Sequence, residues 1–303
     1  MINQLRKLFG VASPKKIFLL GVGAQKAGTT WLYNYFEHRH DTRMGFTKEY
    51  HVFDTRTLMG FEFPIKQVQG RSNRLFPRAD TLELGEKNVQ RFRNFIDNPA
   101  QYYDYFAQLL THSKAHITAD FTPSYSALSC DVLFEIKTEF EQRDIQVIPI
   151  FLMREPVSRL RSFVKMKFRN EGTVPNQDQE LAAMQRICGN ATDASRCCYD
   201  FTYKNLRNVF GEEKFVGFYE TLFCPSEIMR LCELLNINYI EPRFDEKLNA
   251  SSSDHLFSYH ELNSIKEKYR VQYDFAERTF GKQFIDSIWR PAFESNIDVK
   301  DDV

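Results

Sequence analysis

The sequence predicts a single α/β domain with a central, mainly parallel sheet flanked by helices. Three observations predict it. Four short apolar runs, "KIFLLGV" (16–22), "HITADF" (116–121), "IQVIPIFLM" (145–153) and "KFVGFY" (214–219), have the length and composition of buried strands. Segments with helical spacing of apolar residues alternate with them. The chain has 303 residues, 43% of them apolar, which is enough for one large core, and no repeat or linker divides it.

The elements follow in order. Residues 1–15 read as a basic, frayed lead, 16–290 as the domain, and 291–303 as a polar, acidic tail. The run 16–22 ends in a glycine loop, and "TTWLYNYFEHR" (29–39) carries apolar residues at helical spacing. Residues 41–54 are expected to form a second short strand and a turn. An excursion over 55–98, punctuated by Pro64, Gly70, Pro77 and Gly85, holds little regular structure until a helix near 87–96. Helices are expected over 99–110, 126–140, 155–170, 199–210, 224–237 and 258–280. Pro156 stands at a tolerated first-turn position. A second insert, 171–197, contains Gly172, Pro175 and Gly189 and reads as a mobile connection.

Lys+Arg and Asp+Glu are both 40, so the formal charge is zero. That excludes the broad basic surface of a general nucleic-acid binder, and any anion recognition must be local. No segment resembles a signal peptide or a membrane span, and the chain is expected in the cytoplasm. The six cysteines form no C-x-x-C pair, and no metal site is expected. Cys188 could bridge to Cys197 or Cys198, but thiols are the ordinary state in a cytosol.

The loop "GVGAQKAGTT" (21–30) has the glycine spacing of a nucleoside-triphosphate loop, yet its lysine is displaced. Gly23, four residues and Gly28 are followed by Thr29 and Thr30, and Lys26 lies inside the loop. A strand, a glycine loop and a helix aim backbone N–H groups at an anion. The glycines let the backbone approach it, and the threonines add hydroxyl donors. The ordinary alternative is a glycine turn without a ligand.

"GAQKAGTT" resembles the 5′-phosphosulfate loop, G-x-x-K-S/T/A-G-T-T, of sulfotransferases that use 3′-phosphoadenosine 5′-phosphosulfate (PAPS). "REPVSRLRS" resembles the 3′-phosphate motif of that family, R-D/N-P-x-x-R-x-x-S, with Arg154 at a strand end and Ser162 eight residues on. Arginine suits a phosphate because its planar fork donates two hydrogen bonds at once. Glu155 departs from the pattern, which has the shorter Asp or Asn there. "KEYHVFD" (48–54) resembles the K-E-x-H-F/V-F-D segment of the carbohydrate branch, notably the heparan sulfate sulfotransferases. "DFTPSY" (120–125) resembles E-K-S/T-P-x-Y, with Phe121 where the carbohydrate branch often has an acceptor-cleft lysine.

The resemblance implies a P-loop-like sulfotransferase fold over about 16–280. It implies that PAPS is bound by Gly23, Gln25, Lys26, Ala27, Gly28, Thr29, Thr30, Arg154 and Ser162, and PAP is the product. Lys247, in "EKLNASSSD", would add a phosphate contact from a late closing loop; a solvated loop is the alternative. Lys26 would meet the oxygen that bridges phosphorus and sulfur, and no magnesium would be needed. Glu49 is the implied base, and His51 and Asp54 line the acceptor site. A free glutamate titrates near about 4.3 and a histidine near about 6.5, so His51 competes for the role. The acceptor hydroxyl is expected on a saccharide. "PIKQVQGRSNRLFPR" (64–78) carries Lys66, Arg71, Arg74 and Arg78 and no acid, so Arg71 and Arg74 are candidates to attract an anionic one.

Two other readings compete. A P-loop kinase or NTPase would use Asp120, at the end of "HITAD", to hold magnesium. A non-catalytic nucleotide-binding protein could use the same scaffold, but Lys26, Glu49 and Arg154 together argue for chemistry.

Overall fold

The computed structural model describes residues 14–58, 82–111, 113–190, 193, 196–244 and 255–298. Four strands, β1 (Lys16–Gly23), β2 (Ile117–Phe121), β3 (Ile145–Met153) and β4 (Phe215–Phe218), form one parallel sheet in the order β2-β1-β3-β4. β1 and β3 are buried almost throughout, which is why both read as unbroken apolar runs rather than alternating ones. Phe18 of β1 anchors an aromatic cluster. It stacks on Phe140 at 4.1 Å and meets Phe106 edge-on at 4.8 Å. Such packing accounts for much of the 28 Phe and 14 Tyr.

The helices that matter for the site are α1 (Thr29–Glu37), α2 (Val52–Thr57), α3 (Leu82–Asp97), α4 (Pro99–Thr111), α5 (Cys130–Glu141), α6 (Pro156–Asn170), α7 (Gln177–Ile187) and α8 (Tyr199–Phe210). After β4 come the single turn α9 (Tyr219–Leu222), then α10 (Pro225–Leu235), α11 (Tyr259–Lys268), α12 (Arg270–Phe280) and α13 (Lys282–Glu294). A 3₁₀ turn, Pro123–Ala127, links β2 to α5 and takes the first residues of the helix expected over 126–140.

Four expectations change. Residues 41–54 form no strand: Thr42 makes one isolated bridge to Ile117, and the chain turns away into α2. Beyond Phe46 its backbone donors go to side chains instead of a neighbouring strand, as described below. The insert 171–197 is not a bare connection, because α7 fills its middle. Asn176 and Gln179 cap each other reciprocally, and Ala183, Met184 and Ile187 give the helix a buried stripe. The helix expected over 258–280 breaks at Tyr269 into α11 and α12. Residues 291–298 pack as part of the domain, where a polar tail over 291–303 is expected. α13 runs through Pro291, Asn296 is buried, and Ile297 bridges to Phe257.

Candidate active site

The order β2-β1-β3-β4 makes the chain cross from one side of β1 to the other. The crevice outside the carboxyl ends of β1 and β3 is therefore the switch point where open α/β sheets bind ligands. The loop after Gly23 and the residue after Met153 both open there. They are tied together, because Ala24 N donates to Leu152 O at 2.6 Å and Arg154 Nη1 donates to Lys26 O at 3.1 Å.

The loop's two glycines have a steric reason. Gly23 has φ +124°, and a β-carbon there would lie 2.7 Å from Pro123 O. Gly28 has φ +91°, and a β-carbon there would lie 2.7 Å from Leu222 Cδ2. The turns after β2 and β4 thus clasp the loop, and only glycine fits between them. α1 begins at once, with no side-chain cap and no acidic residue in its first turn. Its first N–H groups have no partner within the helix and carry the positive end of its dipole. The Gln25 Oε1 is buried and, among the described residues, without a hydrogen-bond partner.

Lys26 lies in the left-handed region, φ 72°. Its ammonium titrates at about 8, lowered first by burial and then by repulsion from Arg169, Arg154 and Lys48. Glu49 pulls the other way, against these cations.

Arg154 lies flat on the Tyr219 ring, 4.0 Å from its centroid, and its Nε is buried with no partner among the described residues. A donor in that state costs free energy until a ligand meets it. Glu155 caps α6 as the shorter Asp or Asn would: Val157 N donates to Oε1 at 3.1 Å and Ser158 N to Oε2 at 2.7 Å. A cavity of about 590 Å³ opens beside these groups, lined by Arg154, Ser162, Lys165, Tyr219, Glu220 and the flank of α13. Arg159, the second arginine of the motif, is fully buried against Asp193. It is structural.

The segment 48–54 is held by "DFTPSY". Phe121 N donates to Lys48 O at 2.9 Å, Tyr50 N to Thr122 Oγ1 at 2.9 Å, and Val52 N to the Tyr125 hydroxyl at 3.0 Å. Asp120, wholly buried, accepts from the Tyr102, Tyr125 and Thr122 hydroxyls and from Tyr50 N. Tyr50 is fully buried in the core, whereas Glu49 and His51 are half-buried.

There the charges form a chain. Lys48 Nζ bridges Thr30 Oγ1 at 2.8 Å and Glu49 Oε1 at 2.7 Å. Glu49 Oε2 lies 3.2 Å from His51 Nε2, and His51 Nδ1 lies 2.7 Å from Asp54 Oδ2. The Ser124 hydroxyl donates to the same Asp54 oxygen. Burial pulls His51 down, but Asp54 and Glu49 outweigh it and raise the imidazole to about 10. Burial pushes Glu49 up, but Lys48 and His51 outweigh it and hold the carboxyl at about 2. His51 is therefore an imidazolium between two carboxylates.

The structure brings Gly23, Gln25, Lys26, Ala27, Gly28, Thr29 and Thr30 together with Glu49 and His51. Arg154 adjoins the loop through the Lys26 carbonyl, and Ser162 lies beyond it along α6. One residue differs from expectation. The Asp54 side chain is 1% exposed, so it orients His51 and does not itself line a cleft. Phe121 is fully buried against Tyr33, at 5.8 Å between rings, because its ring fills the space above Gly21. It does not stand in an acceptor cleft. Arg71, Arg74 and Lys247 lie outside the described residues. Sequence reasoning missed Tyr219, Glu220 and Ser124. The signal for the first two was "FYE" at the end of the fourth strand, where a parallel sheet places ligand groups. The six cysteines are free thiols. Asp120 has its oxygens taken by four donors, which leaves the magnesium role of a kinase without a ligand at that strand end. Among the described residues no helix is long and apolar enough to cross a membrane.

No family model matches the chain, and no curated protein matches it. Solved structures do. A sulfotransferase from Alicyclobacillus acidocaldarius superposes with a TM-score of 0.53 at 17% identity, covering 92% of this chain and 100% of that one. The sulfotransferase domain from the curacin biosynthetic pathway matches at 17% identity over 75% of each chain, with a TM-score of 0.44. The first of these shows the architecture: this single α/β domain, with its four-stranded parallel sheet and flanking helices, has the fold of a sulfotransferase.

Proposed function

We propose that the protein is a PAPS-dependent sulfotransferase that sulfates a hydroxyl group, on a saccharide, by in-line transfer. One observation carries the reading. Two separate sets of anion donors, the uncapped start of α1 with Lys26 and the partnerless Arg154 Nε, flank one crevice at the switch point. A triphosphate needs one continuous cradle; a nucleotide with phosphates at both ends of its ribose needs two.

The residues fit PAPS on their own chemistry. The N–H groups of 28–30, Thr29 and Lys26 would hold the 5′ end, and Arg154 and Ser162 the 3′ phosphate. When bound, PAPS supplies a sulfuryl group on a phosphate leaving group. Lys26, crowded by cations, gains most from an incoming negative charge. It would neutralise the charge left on the bridging oxygen, a contribution on the order of 3 kcal/mol for one good donor. Glu49 is the base on this reading, because His51 already holds its proton. Glu49 takes the proton of the acceptor hydroxyl as that oxygen bonds to sulfur. Lys48 and His51 keep the carboxylate ionised and aimed, at the cost of basicity, so the proton moves late, when the oxygen is already acidic. The Lys48-Glu49-x-His51 segment is what favours a saccharide hydroxyl.

Incubation with ³⁵S-labelled PAPS and a panel of glycans, phenols and lipid alcohols tests the reading. Label is expected in glycans, and added PAP should inhibit its transfer. Transfer to phenols alone would reject the saccharide. No transfer, together with stronger thermal protection by ATP and magnesium than by PAP, would reject sulfuryl transfer.

A further inference from the structure

Glu220 shares the cavity with Arg154 and has no part in the sulfuryl transfer proposed. Its Oε1 accepts from Glu155 N at 2.8 Å, which fixes the carboxyl at the mouth of α6. Its Oε2 is buried and has no partner among the described residues. Both residues line the cavity, and Arg154 Nε and Glu220 Oε2 are each buried without a partner among the described residues. The charged surroundings are mixed. Arg154 at the end of β3 attracts the carboxylate, and Glu155 at the head of α6 repels it. Arg161 and Lys165 line the same cavity farther along α6; Arg161 is engaged by Glu180 at 2.7 Å. Tyr219, its neighbour on α9, lies under Arg154, and α13 contributes neutral side chains such as Ser287 and Ser295. Tyr273 of α12 bonds to Glu155 and not to Glu220.

We propose that Glu220 binds the nucleotide as a hydrogen-bond donor, its carboxyl proton bridging Oε2 to the phosphate that Arg154 receives. This rests on the reading that Arg154 takes a ribose-borne phosphate. A phosphate dianion presents only acceptors, and an ionised carboxylate presents only acceptors. Next to each other they repel unless a proton or a cation lies between them. Burial first raises the Glu220 carboxyl, to about 7, so the proton is available near neutrality. The sign follows. The bound state holds a proton that the free protein loses above about pH 7, so affinity falls as pH rises, by about tenfold per unit.

Calorimetric titration with adenosine 3′-monophosphate and adenosine 5′-monophosphate, in buffers of different ionisation enthalpy, tests this on the wild type and Glu220→Gln. The 3′ compound carries no 5′ phosphate for Lys26 to hold. Between about pH 7.5 and 8.5, where the ligand is already a dianion, wild-type affinity for it should fall about tenfold, with proton uptake approaching one per site. Glu220→Gln keeps an N–H donor, so its affinity should be flat across that range and exceed wild type at the upper end. Affinity for the 5′ compound should not respond to the substitution. An unchanged pH slope in Glu220→Gln, or a loss of binding at every pH, would overturn the inference while leaving Arg154 as the phosphate site. If neither the 3′ compound nor PAP binds the wild type, the Arg154 reading falls and this inference with it.

Discussion

Proton positions decide the roles of Glu49 and His51. A histidine that titrates at about 10 between Glu49 and Asp54 cannot accept a proton at neutral pH, whereas a carboxylate at about 2 can. Glu49→Gln is therefore expected to lower kcat by about 10²–10⁴ with PAP affinity unchanged. His51→Asn should cost less, because it loosens Glu49 without removing it. Equal losses in single-turnover sulfation would count against Glu49 as the base. Lys26 works as an ammonium and titrates at about 8 in the free protein. The pH profile of kcat/KM for PAPS reports the free protein, so it should fall as pH rises through that value. Lys26→Arg should move that limb upward, and Glu220→Gln should remove the shallower limb that begins about one unit lower. A profile flat to pH 10 in the wild type would contradict the role of Lys26.

Elements position these residues through a latch. Four donors converge on Asp120, and through Thr122 and Tyr125 they hold 48–54 against the end of β2. Asp120→Asn turns one acceptor oxygen toward a hydroxyl donor as an NH₂ group. It should destabilise the fold by about 2–4 kcal/mol in urea titrations, against about 1 kcal/mol for Tyr125→Phe. The latch also explains what the sequence hid. "DFTPSY" was legible as a motif, but its work of satisfying backbone donors at 50 and 52 is long-range and has no local signature. For the same reason 41–54 read as a strand: its apolar residues suited one, and no pattern announces that side chains replace the ladder. α7 carries a clear cap and stripe at 176–187, but Pro175 and Gly189 at its ends have the local signature of a loop. The long apolar runs 16–22 and 145–153 left no such ambiguity, because strands buried on both faces leave no other composition possible.

At the scale of the molecule, the sheet order brings the glycine loop and Arg154 to one crevice, and buried polar ties hold later segments to α6. Arg159 and Asp193 pair at 0% exposure, with the Tyr269 hydroxyl on the same carboxylate. Removing one charge strands the other. Asp193→Ala is expected to cost about 3–5 kcal/mol in chemical denaturation, and Arg159→Leu with Asp193→Ala together less. Arg161 likewise joins α6 to Glu180 of α7, to Asn296 and to the His255 carbonyl. These ties cross 135 residues of sequence to Asn296 and 94 to His255, so no local pattern announces them.

A crystal structure with PAP bound is the most direct measurement. The account predicts its 5′ phosphate on the N–H groups of 28–30 and Lys26, and its 3′ phosphate on Arg154 and Ser162. A 5′ phosphate away from Lys26, or a 3′ phosphate that misses Arg154, would contradict it.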